Sequence, residues 1–206
     1  MRVLLLTTIV ALALSATAAQ AGPFKLWVPH FPSCSVSGAQ GNGNEALGCQ
    51  RGGYKNDGYI RQYGEDSEAT IKQAWGKFND AVVLQTNKAD RAKGTVIQIG
   101  GKDNYGNVYQ GGDDLKGFIY QKGGEDNVAL IDQSDKDTDH NKAAIIQKGG
   151  EDNYAKVEQD SDKNKAVVAQ YGGEDNKATI YQDDYGSSAA ISQTGGHNNT
   201  MSIVQD

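Results

Sequence analysis

The sequence has little proline, little cysteine and few apolar residues. Among its 206 residues are three prolines and two cysteines, and the hydrophobic fraction is only 37%. The prolines, Pro23, Pro29 and Pro32, all lie near the N-terminus, so none removes a backbone donor from a strand further along the chain. A chain so poor in apolar residues is either disordered or a repeat fold with a narrow core, and its periodicity decides between the two.

Basic stretches and long apolar runs are also missing from most of the chain. The formal net charge is −6 and no basic stripe is present, so nucleic acid is not expected as a partner. One apolar run, VLLLTTIVALAL, follows Met1-Arg2 and precedes the small residues of Ala19-Gln20-Ala21. This pattern predicts a secretory signal over residues 1–21, with a membrane anchor as the alternative. We therefore expect an exported protein, with residues 22–39 as a non-repeat N-terminal segment.

Groups that carry catalysis or bind metals are scarce. Cys34 and Cys49 could form a disulfide in an exported protein or remain two free thiols, and they are too few for a zinc site. His30, His140 and His197 have no serine or cysteine at a spacing recognisable for nucleophilic catalysis. The acidic turns lack the glycine-rich nonapeptide pattern of calcium-binding β-helices. We therefore expect no enzyme activity, no metal site and no cofactor.

What the chain does contain is a series of glutamines with nearly constant spacing. Successive glutamines after residue 40 lie 11 to 14 residues apart, and none in that span is out of register. The residue two before each glutamine is Ile or Val in thirteen of fourteen cases, and the residue four before it is Ala or Gly in thirteen of fourteen. The series consists of Gln50, Gln62, Gln73, Gln85, Gln98, Gln110, Gln121, Gln133, Gln147, Gln159, Gln170, Gln182, Gln193 and Gln205.

The repeated unit reads N-x-[AG]-x-[IV]-x-Q. A spacing of two places these residues on one face of a β-strand, whereas a helix would scatter them around its surface. The residues between one unit and the next are rich in Gly, Asp, Asn, Ser and Lys, which is the composition of turns. Glycine in alternate turns adds a longer period of about 23 residues. The sequence therefore predicts an all-β fold in residues 40–206, a two-sheet β-solenoid of about seven rungs with cross-β stacking.

The polar residues of the unit are predicted to face the core. A buried amide without a hydrogen-bond partner is costly. When identical residues stack from rung to rung, each amide can donate to the carbonyl of the next, as in the Asn and Gln ladders of cross-β structures. We therefore expect the fourteen glutamines to form core ladders together with Asn127, Asn153 and Asn176, while Ala or Gly keeps the sheets close.

These units resemble the curlin repeat, the unit of bacterial curli amyloid fibres. The family motif is roughly Q-x-G-x-x-N-x-A followed at strand spacing by a second Q, and it is matched by QKGGEDNVALIDQ, QKGGEDNYAKVEQ and QYGGEDNKATIYQ. In the first of these the matching residues include Gln121, Asn127 and Ala129. The resemblance covers about residues 40 to 206. The stretch GPFKLWVPHFPS and the two cysteines lie outside the pattern.

The resemblance implies a structural subunit of an extracellular amyloid fibre in biofilm matrix. It implies self-association on the bacterial cell surface, export via the periplasm through a dedicated outer-membrane channel, and seeding by a minor nucleator subunit. Two alternatives stay open: a nucleator, and a monomeric secreted β-solenoid that binds polysaccharide, ice or calcium. The second would need a capped end and a regular outward array, and the outward residues are irregular.

The outward positions differ between the two predicted sheets. One sheet presents mainly apolar pairs, such as Phe118 with Tyr120, whereas the other includes polar pairs such as Lys156 with Glu158. An exposed apolar strip usually marks an interaction surface. The more apolar sheet is therefore interpreted as a lateral fibre contact, with ordinary β-propensity as the alternative explanation.

Overall fold

The computed structural model describes residues 33–35, 43–86, 88–134 and 138–206. The predicted signal segment, residues 1–21, lies outside the described residues, as does most of the predicted non-repeat segment, residues 22–39. These two boundaries therefore stay predictions. Within the described ranges no helix occurs, and so none is long and apolar enough to cross a membrane.

Fifteen strands make up nearly all the regular structure of the described residues. In chain order they are β1 (Ser33–Ser35), β2 (Glu45–Arg51), β3 (Asp57–Gln62), β4 (Glu68–Ala74), β5 (Asp80–Gln85), β6 (Lys93–Ile99), β7 (Tyr105–Gln110), β8 (Lys116–Lys122), β9 (Val128–Gln133), β10 (Lys142–Lys148), β11 (Tyr154–Gln159), β12 (Lys165–Tyr171), β13 (Lys177–Gln182), β14 (Ser188–Thr194) and β15 (Thr200–Gln205).

The strands alternate between two sheets, and this confirms the predicted two-sheet β-solenoid. Sheet 1 has the order β1-β2-β4-β6-β8-β10-β12-β14, and sheet 2 has the order β3-β5-β7-β9-β11-β13-β15. Pairing is parallel from β2 onward, and each residue lies beside its equivalent about 23 residues away, as Gln147 lies beside Gln170. Strands β2 and β3 form rung 1, and β14 and β15 form rung 7. The pair β1–β2 is antiparallel.

The period-two pattern places the small and branched residues between the sheets. Interior strands alternate half-buried and buried positions, as in β11, where Ala155 and Val157 are fully buried. In two rungs, steric contacts explain why the Ala or Gly position of the unit must hold a small residue. A Cβ added to Gly94 or Gly117 would lie 2.5 Å from a valine methyl of the opposite sheet. The core is therefore two side chains thick, and the unit alternates Ala or Gly with Ile or Val to fit it.

Two kinds of turn connect the sheets. Arc 1 joins the sheet 1 strand to the sheet 2 strand of a rung and has five residues, as in 123–127. Its first two positions are usually glycines with positive φ, such as Gly123 at 66° and Gly124 at 79°. Of the two glycines, the second is the more constrained. A Cβ on Gly124 would lie 2.2 Å from Asn127 Nδ2 and 2.6 Å from Gly150 O, whereas one on Gly123 meets nothing within 4 Å.

Arc 2 leads from a sheet 2 strand to the next rung, and positive φ there is not confined to glycine. It occurs at Arg91 (52°), His140 (60°) and Lys163 (58°), as well as at Asp114 (54°). These residues lie one above another along the solenoid. Arg91 Nε donates to Asp114 Oδ1 at 2.9 Å, and His140 Nε2 lies 3.4 Å from Asp114 Oδ2, so attraction between rungs offsets part of the backbone cost.

Candidate functional site: the amide ladders and the ends of the solenoid

The seven glutamines of sheet 1 form one continuous ladder of side-chain amides. From Gln50 to Gln170, the Nε2 of each glutamine donates to the Oε1 of the glutamine in the next rung at 2.8 or 2.9 Å. The same nitrogen also donates to backbone carbonyls, as Gln147 Nε2 does to Asn153 O at 3.1 Å. The ladder consists of Gln50, Gln73, Gln98, Gln121, Gln147, Gln170 and Gln193.

Sheet 2 carries a second ladder with the same direction. Its side-chain bonds are 2.7 to 3.1 Å long, and Nε2 again donates toward the C-terminal end of the solenoid. Its interior amides are fully buried; Gln110 and Gln159, for example, are 0% exposed. The ladder consists of Gln62, Gln85, Gln110, Gln133, Gln159, Gln182 and Gln205. All fourteen predicted ladder glutamines thus lie in two columns of uniform polarity.

The asparagines also bond to one another through their side chains: Asn127 Nδ2 donates to Asn104 Oδ1 and Asn153 Nδ2 donates to Asn127 Oδ1, both at 3.0 Å. A bond from the backbone is added to these side-chain bonds. Each asparagine occupies the last position of arc 1, and its Oδ1 accepts a hydrogen bond from the backbone N–H of the asparagine in the next rung. Asn153 N donates to Asn127 Oδ1, and Asn176 N donates to Asn153 Oδ1, both at 3.1 Å. Asn127, Asn153 and Asn176 are each 1% exposed. The asparagine side chains therefore hold successive turns together.

The N-terminal end of the sheet 2 ladder has an unused acceptor. Gln62 is 0% exposed, yet its Oε1 has no hydrogen-bond partner among the described residues. One other buried side-chain atom in those ranges shares this property, Asn107 Oδ1, which lies on the outward face of β7. At the opposite end, Gln205 accepts a bond from Gln182 Nε2 at 2.8 Å, and no glutamine of the described residues accepts a bond from Gln205 Nε2.

The backbone edges of the solenoid also differ from one another. Strands β14, β15 and β3 are each at the end of a sheet, with a pairing strand on one side only. Strand β2 is instead flanked by β1 on its outer side, with Cys34 opposite Cys49. Cys49 is disulfide-bonded. An open edge presents unpaired backbone N–H and C=O groups that can pair with another chain.

The outward faces follow the predicted contrast between the sheets. In sheet 1, Ala144 and Ile146 are each only 8% exposed because neighbouring rungs carry bulky side chains at these positions. In sheet 2, Lys156 forms an ion pair with Glu158. The hydrogen bond of Tyr181 with Asp160 raises the pKa of Tyr181 to about 12. The lateral fibre contact of sheet 1 stays a prediction.

An aromatic cluster in arc 1 of rungs 1 and 2 was not predicted from the sequence. Tyr54 and Phe78 pack edge to face with ring centroids 5.6 Å apart. Arg51 lies 5.3 Å from the Trp75 ring, and Lys55 Nζ lies 5.4 Å from the Tyr54 ring. Trp75 is 58% exposed, and both Trp75 and Phe78 have positive φ. They occupy positions where rungs 3 to 6 have glycine and aspartate, which was the signal available in the sequence.

Farther along, arc 1 is acidic. Glu125, Glu151 and Glu174 lie one above another beside a groove of about 580 Å³, and His197 follows them in rung 7. Lys102 occupies the equivalent position in rung 3, next to Glu125. Its hydrogen bond to the Glu125 carboxylate raises the pKa of the lysine. His197 Nδ1 is 3.0 Å from Glu174 Oε2. In the part of the chain that the structure describes, no group of three or more His, Cys, Asp or Glu side chains is arranged to hold a metal ion.

The comparison with known families agrees with this geometry. A family model for the curlin associated repeat matches residues 150–183. Residues 150–183 are therefore similar to the curlin repeat. The matched curlin repeat runs from the second arc 1 glycine of rung 5 through β13, and it includes Gln159, Gln170 and Gln182. Because the other rungs place the same residue types at the same inward positions, the match confirms the resemblance found in the sequence. A search among curated proteins gave no match.

Proposed function

We propose that this curlin-repeat protein is a structural subunit of an extracellular, curli-like amyloid fibre. Copies would assemble by stacking the C-terminal rung of one copy on the N-terminal rung of the next. The repeat family and the solenoid support a structural rather than a catalytic role. On this proposal the protein is exported via the periplasm through an outer-membrane channel, acts on the cell surface, and is seeded by a nucleator subunit.

The unpaired Oε1 of Gln62 is the observation that carries the proposal. A buried acceptor without a partner costs roughly 1–3 kcal/mol. Every other glutamine of the sheet 2 ladder accepts a bond from the Nε2 of the rung before it. In a head-to-tail stack, Gln205 of another copy occupies that preceding position. Its free amide nitrogen would then satisfy Gln62.

The backbone of arc 1 would also form hydrogen bonds across the joint, which is the contact between rung 7 of one copy and rung 1 of the next. Between interior rungs, Glu151 N donates to Gly173 O and Asp175 N donates to Glu151 O, each at 3.1 Å. By repetition, His197 N would donate to Gly53 O of the next copy, and Lys55 N of that copy would donate to His197 O. Rungs 1 and 7 both keep the paired glycines and the final asparagine of arc 1. The end rungs therefore have the residues that interior stacking uses.

The alternative of a monomeric binding solenoid is less well supported. Such a protein needs a regular outward array, whereas the outward residues here vary from rung to rung. Along one sheet 1 column, for example, Ile97, Tyr120 and Ile146 succeed one another. A nucleator role remains compatible with the same stacking, because a nucleator and a bulk subunit would present similar end rungs.

Fibre formation by the purified protein, without its predicted signal segment, tests the proposal. We expect conversion from a soluble state to fibres with reflections near about 4.8 and 10 Å. Added fibre fragments should shorten the lag. A protein that stays monomeric for days at tens of micromolar, with or without such fragments, would contradict the fibre proposal and favour the binding solenoid.

A further inference from the structure

The turns of arc 1 change in charge along the solenoid. The third and fourth residues of the arc are glutamate and aspartate in each of rungs 4, 5 and 6, as in Glu151 and Asp152. Rungs 1 and 2 have one lysine each at these positions, Lys55 and Lys77, next to an aromatic residue. Rung 3 has a lysine and an aspartate, and rung 7 has His197 and an asparagine. Arc 1 is therefore basic at the N-terminal end of the solenoid and acidic over most of its C-terminal half.

Stacking places these charges beside others of the same sign. Glu151 lies between Glu125 and Glu174, and Lys77 lies beside the lysine of rung 3. Like charges in neighbouring strand positions destabilise one another. The lysine nearest along the chain to the acidic turn of rung 5 is Lys148, and its Nζ lies over two tyrosine rings of sheet 1. Opposite charge supplied from outside the chain would therefore be favourable at both ends of arc 1.

The two ends of arc 1 also differ in shape. Trp75, Tyr54 and Phe78 project from rungs 1 and 2, with exposed fractions of 58%, 55% and 40%. In rungs 4 to 7, the same side of the solenoid has the groove of about 580 Å³, which is lined by the second glycine of each arc, the three glutamates and His197. One end thus offers protruding rings with positive charge, and the other offers a groove with negative charge. Arc 1 is complementary to a second copy of itself.

An antiparallel arrangement of two copies brings the unlike ends together. With a two-fold axis between rungs 3 and 4, rung 1 of one copy faces rung 6 of the other, rung 2 faces rung 5, and rung 3 faces rung 4. Lys55 of one copy then faces Glu174 of the other, and Lys77 faces Glu151. Each contact occurs twice, as a two-fold interface requires. A parallel arrangement in register would instead place every charge opposite its own kind.

We propose that arc 1 is a lateral docking surface for a second copy of this chain, with the basic, aromatic end of each copy against the acidic, grooved end of the other. The inference rests on the proposed fibre. A strip seven rungs long and one turn wide measures roughly 30 Å by 10 Å, whereas a stable interface buries about 800 Å² per partner. Head-to-tail stacking repeats the strip along a fibre, and linked weak contacts act together. Arc 1 therefore joins fibres side by side and does not hold soluble copies as dimers.

Paired charge reversals test this surface on preformed fibres. Lys55→Glu/Lys77→Glu and Glu151→Lys/Glu174→Lys each place like charges opposite one another when the variant is alone. Opposite charges face one another again when fibres of the two variants are mixed. Low-speed sedimentation and electron micrographs measure side-by-side association. We expect the pelleted fraction of either variant alone to be several-fold below that of wild-type fibres, and the equal mixture to recover it.

The matched control carries the same charge change in arc 2. Lys88 and Lys163 lie in that arc, and Lys88→Glu/Lys163→Glu fibres should associate side by side as wild-type fibres do. Variant fibres that associate like wild type would overturn the arc 1 surface alone. The same conclusion follows from a mixture that does not recover association, or from a control that loses as much as the arc 1 variants.

Carbodiimide cross-linking of wild-type fibres gives a second readout that needs no substitution. Lys77 and Glu151 of one copy lie three rungs apart, or about 14 Å, which is too far for a zero-length cross-link. In fibres grown from isotopically labelled and unlabelled copies, lateral docking predicts a Lys77–Glu151 cross-link between copies. Absence of this cross-link in laterally associated fibres would overturn the arc 1 surface alone. Absence of wild-type fibres would overturn the proposed function, and the docking surface with it.

Discussion

The inward and outward faces of the solenoid follow different rules, although both are built from the same strands. Inward columns repeat nearly the same residue in every rung, and Gln147, for example, has glutamine both above and below it. Outward columns change freely: Glu158 lies between Asp132 and Tyr181. Inward amides bond to their own equivalents, so one substitution disturbs two neighbours. Most outward residues are half-buried rather than fully buried, so replacements there are better tolerated.

The largest difference between the faces is expected when an interior ladder residue is compared with an outward one. Gln147→Ala removes an acceptor used by Gln121 and a donor used by Gln170, and it leaves a cavity in a closely packed core. We expect a loss of about 2–4 kcal/mol in the free energy of unfolding. The outward control Lys156→Ala should change it by less than about 0.5 kcal/mol. Denaturant midpoints of the two variants check this; equal effects would mean that the faces are assigned wrongly.

The paired glycines of arc 1 sharpen the comparison, because one Cβ would point toward the next rung and the other into open space. Gly124→Ala places a methyl 2.6 Å from Gly150 O at a φ of 79°, whereas Gly123→Ala meets nothing within 4 Å. We expect Gly123→Ala to cost about 1–2 kcal/mol for the left-handed backbone alone. Gly124→Ala should cost clearly more. The denaturant midpoints should rank the variants in this order, and the reverse order would refute the steric account of arc 1.

At the end of the solenoid, an inward residue should affect growth more than the folding of the subunit. Gln205→Leu removes the side chain proposed to donate to Gln62 of the next copy, while its neighbour Val204 is outward and 59% exposed. We expect Gln205→Leu to slow seeded elongation several-fold and Val204→Ala to leave its rate nearly unchanged. If both variants elongate at the wild-type rate, Gln205 is not part of the joint.

The smallest effect on stability is expected for the charged residues that stack in arc 2, among them Arg91 and Asp114. The hydrogen bond from Arg91 lowers the pKa of Asp114 below its ordinary value of 3.8. A lowered carboxyl pKa stabilises the fold above that ordinary value, and the stabilisation is lost as the pH falls through the folded-state pKa. We therefore expect Asp114→Asn to cause a small loss of stability at pH 7 and a smaller loss near pH 2. A loss of the same size at both pH values would show that the carboxylate charge is not responsible.

The sequence was most informative where side chains bond to their own equivalents. The period of two and the glutamine spacing predicted the strands, their inward faces and both ladders, because a repeated amide in a narrow core has few other ways to be satisfied. The left-handed conformation of Arg91 and His140 was not predictable, since it depends on contacts with neighbouring rungs. Strand β1 was not predicted either: Ser-Cys-Ser has no period, and its pairing with β2 is set by the fold rather than by local pattern.

Solid-state NMR of fibres grown from two differently labelled pools tests the central claim most directly. One pool carries ¹⁵N and the other ¹³C, so every ¹⁵N–¹³C contact between the pools is intermolecular. Head-to-tail stacking predicts a contact between Gln205 Nε2 of one copy and Gln62 Cδ of another, at roughly 4 Å. If copies instead unfold their solenoids and stack residue on residue, Gln62 will contact Gln62 and Gln147 will contact Gln147 between molecules. That result, with no Gln205–Gln62 contact, would contradict the account.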